Sequence, residues 1–343
     1  MLFNREKTSF LKLPTPLERL DNLSADLGID LWIKRDDLTE LGMGGNKLRK
    51  LEYLIREAQD QGATALITVG GLQTNHGRLT AAVAAKYGMK CTICAVDHWP
   101  GEVSANVLLD RIMGADVVVQ APKADMTEDA QLKQLVAMVR AEYEAAGEKV
   151  YEIPLGGSNV TGLLGYVECA METDAQAREE GIPAARFVSG VGSMGTFMGL
   201  YIGLREAGSR MHLTGISISP FGEETEERIM NYFAETKQAL GFDWTAARED
   251  FDIQKDYTRG GYNNLSPEVR QAIYTMARRE AILLDPCYTG KVFAGFLDMV
   301  REGRISKGET VILLHTGGQP GLNTPHHRQA FEQELLDGVR VLP

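Results

Sequence analysis

Apolar runs suited to β-strands recur along this chain at 30–34, 65–69, 91–96, 116–119, 150–153, 186–189, 213–218, 282–284 and 310–314. Helical spacing fills most of the gaps, with helices expected near 75–87, 102–113, 127–146, 161–180, 196–206, 223–240, from Ser266-Pro267 onward, 289–301 and 325–336. This alternation constrains the fold more than any other feature. Strands that take turns with helices pair in parallel, because each helix carries the chain back across a sheet face. The expected class is α/β, with open, twisted, mostly parallel sheets covered on both sides. A chain of 343 residues outgrows one small core and suits about two lobes. The segment PLGGSN at 154–159 interrupts the series and reads as a crossing between lobes, although such a loop also occurs inside one domain. Residues 1–47 and 160–343 are assigned to a large lobe and 48–159 to a small one.

Three loops share one form, an apolar strand running into glycines and small polar residues and then into a helix: VGGLQTNHGR at 69–78, SGVGSMGT at 189–196 and HTGGQPG at 315–321. In a parallel sheet such loops gather at the carboxyl ends of the strands, where ligands bind. The second loop is the best phosphate cradle, since glycines let backbone N–H groups approach and a helix N-terminus adds positive potential. It lacks the Lys-Ser/Thr of a Walker loop, and a plain strand-to-helix turn explains the same residues. The first loop sets Thr74, Asn75 and His76 at a helix start, suited to a carboxylate or a ring hydroxyl, or simply to capping. Tyr262 and Tyr288 precede helices, where each can stack on a substrate, protonate it, or merely pack.

A fourth glycine-rich loop, TELGMGGNKLRKLE at 39–52, opens a helix with Lys47, Arg49 and Lys50 in its first turn. Helix N-termini favour anions, so this crowding of cations opposes local stability. A lysine beside other cations loses its proton more readily and becomes a nucleophile able to form a Schiff base. A solvated first turn is the bland alternative.

A net charge of −11 argues against a nucleic-acid surface. No stretch is apolar enough for a signal peptide or a membrane span, which makes the cytoplasm the expected compartment. Cys91 and Cys94 form a C-x-x-C inside a strand, so they face opposite sides and suit neither redox nor metal chemistry. His76-Gly77 is not a metal pattern, and His326-His327 reads as solvated tail.

GGNKLRKLE at 44–52, QTNH at 73–76, LDPCYTGK at 284–291 and HTGG at 315–318 together resemble one family, the pyridoxal-phosphate-dependent D-cysteine desulfhydrases and 1-aminocyclopropane-1-carboxylate (ACC) deaminases, of the tryptophan synthase β fold type, or fold type II. The likeness runs in order from about residue 13 to 322. It implies pyridoxal 5'-phosphate as cofactor, Lys47 as the Schiff-base lysine, and Asn75 on the cofactor's ring hydroxyl. Gly192, Ser193, Met194, Gly195 and Thr196 would hold its phosphate, and Thr316, with Thr289 second, would face the pyridine nitrogen. Thr74, Asn75, His76, Tyr262, Tyr288 and Thr289 match substrate-side positions, with Thr74, Tyr262 and Tyr288 joining Lys47 as catalytic candidates. No metal is implied. The partner is a small amino acid, and the family suggests a homodimer.

The implied reaction is β-elimination on a cysteine-like amino acid, D-cysteine first, giving pyruvate, hydrogen sulfide and ammonia. ACC deaminases carry glutamate where this chain has Thr289 and glutamine where it has His76, so both positions favour the desulfhydrase branch. Thr74 replaces the usual serine, and its extra methyl is expected to crowd the carboxylate site. L-Cysteate sulfo-lyase, ACC deaminase and a non-catalytic cofactor-binding protein are the alternatives.

Overall fold

The structure, a computed structural model, describes residues 3–342. In chain order its elements are β1 (Leu17–Arg19), α1 (Asp21–Leu27), β2 (Asp30–Arg35), α2 (Lys47–Asp60), β3 (Ala65–Val69), α3 (Asn75–Lys86), β4 (Lys90–Val96), α4 (Ala105–Ile112), β5 (Asp116–Gln120), α5 (Glu128–Ala145) and β6 (Val150–Ile153). There follow α6 (Val160–Glu179), β7 (Arg186–Val191), α7 (Gly195–Glu206), β8 (His212–Ser217), α8 (Glu223–Leu240), β9 (Asp252–Gln254), α9 (Pro267–Glu280), α10 (Thr289–Arg301), β10 (Thr310–His315) and α11 (Pro325–Leu335). Sequence-local caps fix many of these ends. Thr127, Asn159, Ser266 and Thr324 each accept a backbone N–H of the helix they open, and Pro267 occupies the first turn of α9.

The strands form a six-stranded sheet in the order β1-β2-β10-β7-β8-β9 and a four-stranded sheet in the order β5-β4-β3-β6. Every pairing is parallel except β1 with β2. Cys91 and Cys94 lie on opposite faces of the smaller sheet, Cys91 in the apolar cluster that includes α2 and α3 and Cys94 in the one that includes α5. No helix among the described residues is long and apolar enough to cross a membrane.

Four segments depart from the sequence reading. Residues 282–284 are not a strand: Ala281 ends α9 in the left-handed region (φ 57), and the run then joins two helices without sheet pairing. Ile282 and Leu284 are apolar because they are buried, which pattern alone cannot distinguish from pairing in a sheet. The edge strands β1 and β9 were not expected; at 3 residues each they are too short to show a period. Helix α4 begins at Ala105 rather than 102.

Two clasps hold the Lys47 loop. Asp36, fully buried, accepts from Arg49 Nε (2.8 Å), Arg49 Nη2 (2.9 Å) and the Tyr166 hydroxyl (2.6 Å), while Arg49 also reaches Glu172 (2.9 and 3.0 Å). Burial works to raise the Asp36 pKa, but Arg49 overrides it and holds the carboxyl below the usual range. On the other side, Arg78 of α3 donates to the carbonyls of Gly42 and Gly44. Loop 316–318 then packs backbone to backbone on the Lys47 loop. A β-carbon at Gly317 would lie 2.7 Å from Gly45 Cα, so only glycine permits the approach.

Candidate active site

The loops after β3, β7 and β10 and the start of α2 surround a cleft of about 740 Å³, lined among others by Lys47, Thr74, Asn75, Ser193, Tyr288 and Thr316. Lys47 makes no hydrogen bond or ion pair with any described residue, and burial lowers its pKa to about 8. Neighbouring cations are not the reason, contrary to the sequence argument: Arg49 is committed to Asp36 and Glu172. The coupling runs the other way. After burial itself, the Lys47 charge is what depresses Lys50 and His76.

This pKa sets a pH window. In the cofactor-free protein the Lys47 amine is lowered from about 10.5 unfolded to about 8 folded, so it costs stability below pH 8, and the cost fades as pH rises toward 10.5. Denaturant titrations should show the gap between wild type and Lys47→Met closing by up to about 3 kcal/mol between pH 7 and 10. A constant gap would show that the amine is not held in this way.

Lys50, three residues on and therefore on nearly the same helix face, was not singled out from the sequence. It is fully buried, has no carboxylate partner among the described residues, and donates only to Gly156 O (3.1 Å) and Ser158 Oγ (3.3 Å). Ser158 Oγ lies 2.8 Å from Ser193 Oγ. A β-carbon on Gly195 would sit 2.7 Å from Ser158 Oγ and 2.9 Å from Lys50 Nζ. Met194 enters α7 in the left-handed region (φ 68). Thr196 Oγ1 accepts from Asn46 Nδ2 at 3.1 Å. A buried lysine amine, two hydroxyls and the first turn of a helix thus converge where no described residue supplies an anion, and that arrangement fits a phosphate monoester.

Asn75 spends its carbonyl oxygen on Asn106 Nδ2 (3.0 Å), which leaves its amide N–H groups as donors. His76 is buried with neither ring nitrogen paired, and burial holds it well below its usual pKa, as a neutral ring. Thr74 Oγ1 caps α3 by accepting from Gly77 N (3.3 Å). Its methyl takes up the space beside Gly77, 2.5 Å from where a β-carbon there would stand.

Tyr288 and Tyr262 meet edge to face, with centroids 5.7 Å apart and hydroxyls 3.4 Å apart. Desolvation within the cleft, with Cys287 and Asp285 nearby, raises both phenols, and Tyr262 further raises Tyr288, so both keep their protons. The Tyr288 loop is organised by the buried Asp285 carboxylate, which accepts from the N–H groups of Cys287 (2.9 Å), Tyr288 (3.0 Å) and Thr289 (2.7 Å). Thr289 is not brought into the cleft. Its hydroxyl donates to Asp285 Oδ1 and accepts from Asp285 N, both at 2.7 Å, and it lines a separate small cavity with Phe293 and His315. Of the two candidates for the pyridine nitrogen, Thr316 is the one in the cleft wall. His327 is likewise not solvated tail but fully buried, 2.9 Å from Gly321 O and 3.3 Å from Asn263 O, pinning α11 beside the Tyr262 loop.

Comparison with known proteins agrees with this geometry. The chain is 39% identical over 314 residues to a D-cysteine desulfhydrase of Yersinia enterocolitica, covering 91% of this chain and 93% of that one. The crystal structure of an ACC deaminase homologue superposes with a TM-score of 0.84 at 34% identity, covering 98% of this chain and 97% of that one. The structure of an O-ureido-L-serine synthase matches with a TM-score of 0.63 at 18% identity over 96% and 94% of the two chains, a likeness of fold alone. The profile of pyridoxal-phosphate dependent enzymes matches residues 8–317. By family match, relatives and fold, the chain belongs to the pyridoxal-phosphate dependent enzymes of fold type II, within the group that holds D-cysteine desulfhydrases and ACC deaminases.

Proposed function

We propose that this enzyme carries out β-elimination on a cysteine-like amino acid, D-cysteine first, releasing pyruvate, hydrogen sulfide and ammonia. The observation that carries the reading is the pairing, in one cleft, of an amine poised to lose its proton with two phenols that keep theirs. Elimination needs that pair: a base for the proton on Cα and an acid for the departing sulfur. The 39% identical D-cysteine desulfhydrase supports the same reading.

Lys50, Ser158, Ser193 and Thr196, with the backbone of Gly192, Met194 and Gly195, would hold the cofactor's phosphate. Asn75 would donate to its ring hydroxyl, Thr316 would meet the pyridine nitrogen, and Lys47 would engage its carbonyl carbon. Pyridoxal phosphate, when bound, supplies an electron sink for charge developing at Cα. Lys47 Nζ takes the Cα proton, Tyr288 with Tyr262 behind it delivers a proton to the leaving sulfur, and the Thr74 hydroxyl and Asn75 amide orient the substrate carboxylate. A neutral threonine at the pyridine nitrogen, unlike a carboxylate, would not stabilise its protonated form, which would favour expulsion of a β substituent. Thr316→Val is accordingly expected to lower turnover by roughly tenfold or more, whereas Thr289→Val should mainly lose about 1–3 kcal/mol of stability by stranding part of the Asp285 carboxylate. Equal kinetic effects from the two would reverse their assignment.

His76 is neutral, and Asp97 and Arg228 both stand in the cleft wall, so L-cysteate, whose leaving group is anionic, stays among the substrates to be compared. The ACC deaminase homologue supports ACC ring opening as a second reading, which uses the same base and acids. We place the enzyme in the cytoplasm as a homodimer, with residues 1–47 and 160–343 as large lobe and 48–159 as small lobe. Exposed apolar side chains at Met43, Leu108 and Ile112 support a second copy. The test is product release from D-cysteine, L-cysteine, L-cysteate and ACC at matched concentrations. Pyruvate and sulfide in equal amounts, fastest from D-cysteine, support the proposal; faster release from L-cysteate or ACC replaces the substrate, and no release from any supports a non-catalytic role.

A further inference from the structure

Helix α3 carries a glycine in its first turn, at Gly77, where alanine would favour the helix by about 1 kcal/mol. Its φ is not in the left-handed region, so backbone conformation does not call for glycine there. Space does. A β-carbon at Gly77 would lie 2.5 Å from Thr74 Cγ2, and 3.0 and 3.2 Å from Ile93 Cγ2 and Cδ1. A β-carbon at Gly70 would instead meet Thr74 Oγ1 (2.7 Å) and Cβ (2.8 Å) before the methyl (3.1 Å), atoms that serine shares. The missing side chain at Gly77 thus leaves a slot that the Thr74 methyl fills. A β-branched residue has a stiff χ1, so seating its methyl also aims its hydroxyl.

We propose that Gly77 is a positioning residue: it seats the Thr74 methyl so that the hydroxyl is held at one angle beside the substrate. Serine at 74 has no methyl to seat and needs no such slot. The inference rests on the proposed substrate-side role of Thr74.

The test is a double-mutant cycle on the cofactor-loaded enzyme, comparing wild type, Thr74→Ser, Gly77→Ala and the double variant with D-cysteine, L-cysteine and ACC as probes. Gly77→Ala should cut kcat on the order of 10- to 100-fold by displacing the hydroxyl, with little change in the cofactor's absorbance. Adding Thr74→Ser should return kcat to the level of Thr74→Ser alone. Thermal midpoints give an independent reading: Gly77→Ala should lower the midpoint with threonine at 74 and leave it nearly unchanged with serine. The proposal is overturned if Gly77→Ala keeps wild-type kcat, or if the double variant is no better than Gly77→Ala. An equal loss of midpoint in both backgrounds also overturns it, since Ile93 alone would then explain the glycine. Should wild type turn over none of the probes, the proposed function fails while the midpoints still decide whether the slot exists.

Discussion

Lys47→Ala should abolish turnover, by at least about four orders of magnitude, while leaving the fold intact. No other described amine can take over. Lys50 sits on nearly the same helix face but is bound to Gly156 O and Ser158 Oγ and fully buried, and Arg49 is locked in ion pairs. The loaded variant should also lack the visible absorbance that a cofactor linked to Lys47 would give the wild type, and at pH 7 the cofactor-free variant should be no less stable than wild type. That last expectation follows from the lowered pKa, because a half-buried amine without a counter-charge costs stability that alanine does not. Activity within tenfold of wild type would rule out Lys47 as the base.

Arg49→Met should have the largest effect on stability, a loss of about 3–5 kcal/mol, because it leaves the buried Asp36 carboxylate without its cation. The double variant Arg49→Met, Asp36→Asn should recover part of that loss. The sign with pH follows from the lowered Asp36 pKa: its contribution is complete above the unfolded value of about 3.9 and disappears as pH falls below it through the folded value. Denaturant midpoints of the three proteins at pH 7 test this, and an Arg49→Met protein as stable as wild type would mean that the network is dispensable. Because α2 hangs on this clasp, the variant should also lose some activity, though far less than Lys47→Ala.

Much of the fold was legible before any coordinates because strand and helix periods are local. The series from 65 to 153, the helix start at Ser266-Pro267 and the opposed faces of Cys91 and Cys94 each depend on residues within a few positions of one another. Lys47 was legible for a similar reason, since the glycines that open its helix stand beside it. The reason given for its reactivity was not the operating one. Arg49 looked like a repelling neighbour until Asp36 and Glu172, one 13 residues before it and the other 123 after, proved to neutralise it.

Sequence alone determined the class of the fold, the four glycine-bearing loops and the residues that stand in them. Tertiary structure decided what each of those residues faces. It put Thr316 in the cleft wall and turned Thr289 away onto Asp285, brought Lys50 against Ser158 and Ser158 against Ser193, buried His327 under the Tyr262 loop, and packed the Thr74 methyl where a side chain at Gly77 would stand. The physical reason is common to all five. A side chain's charge state and direction depend on desolvation and on partners far away in sequence, and those exist only once the sheets and helices have packed.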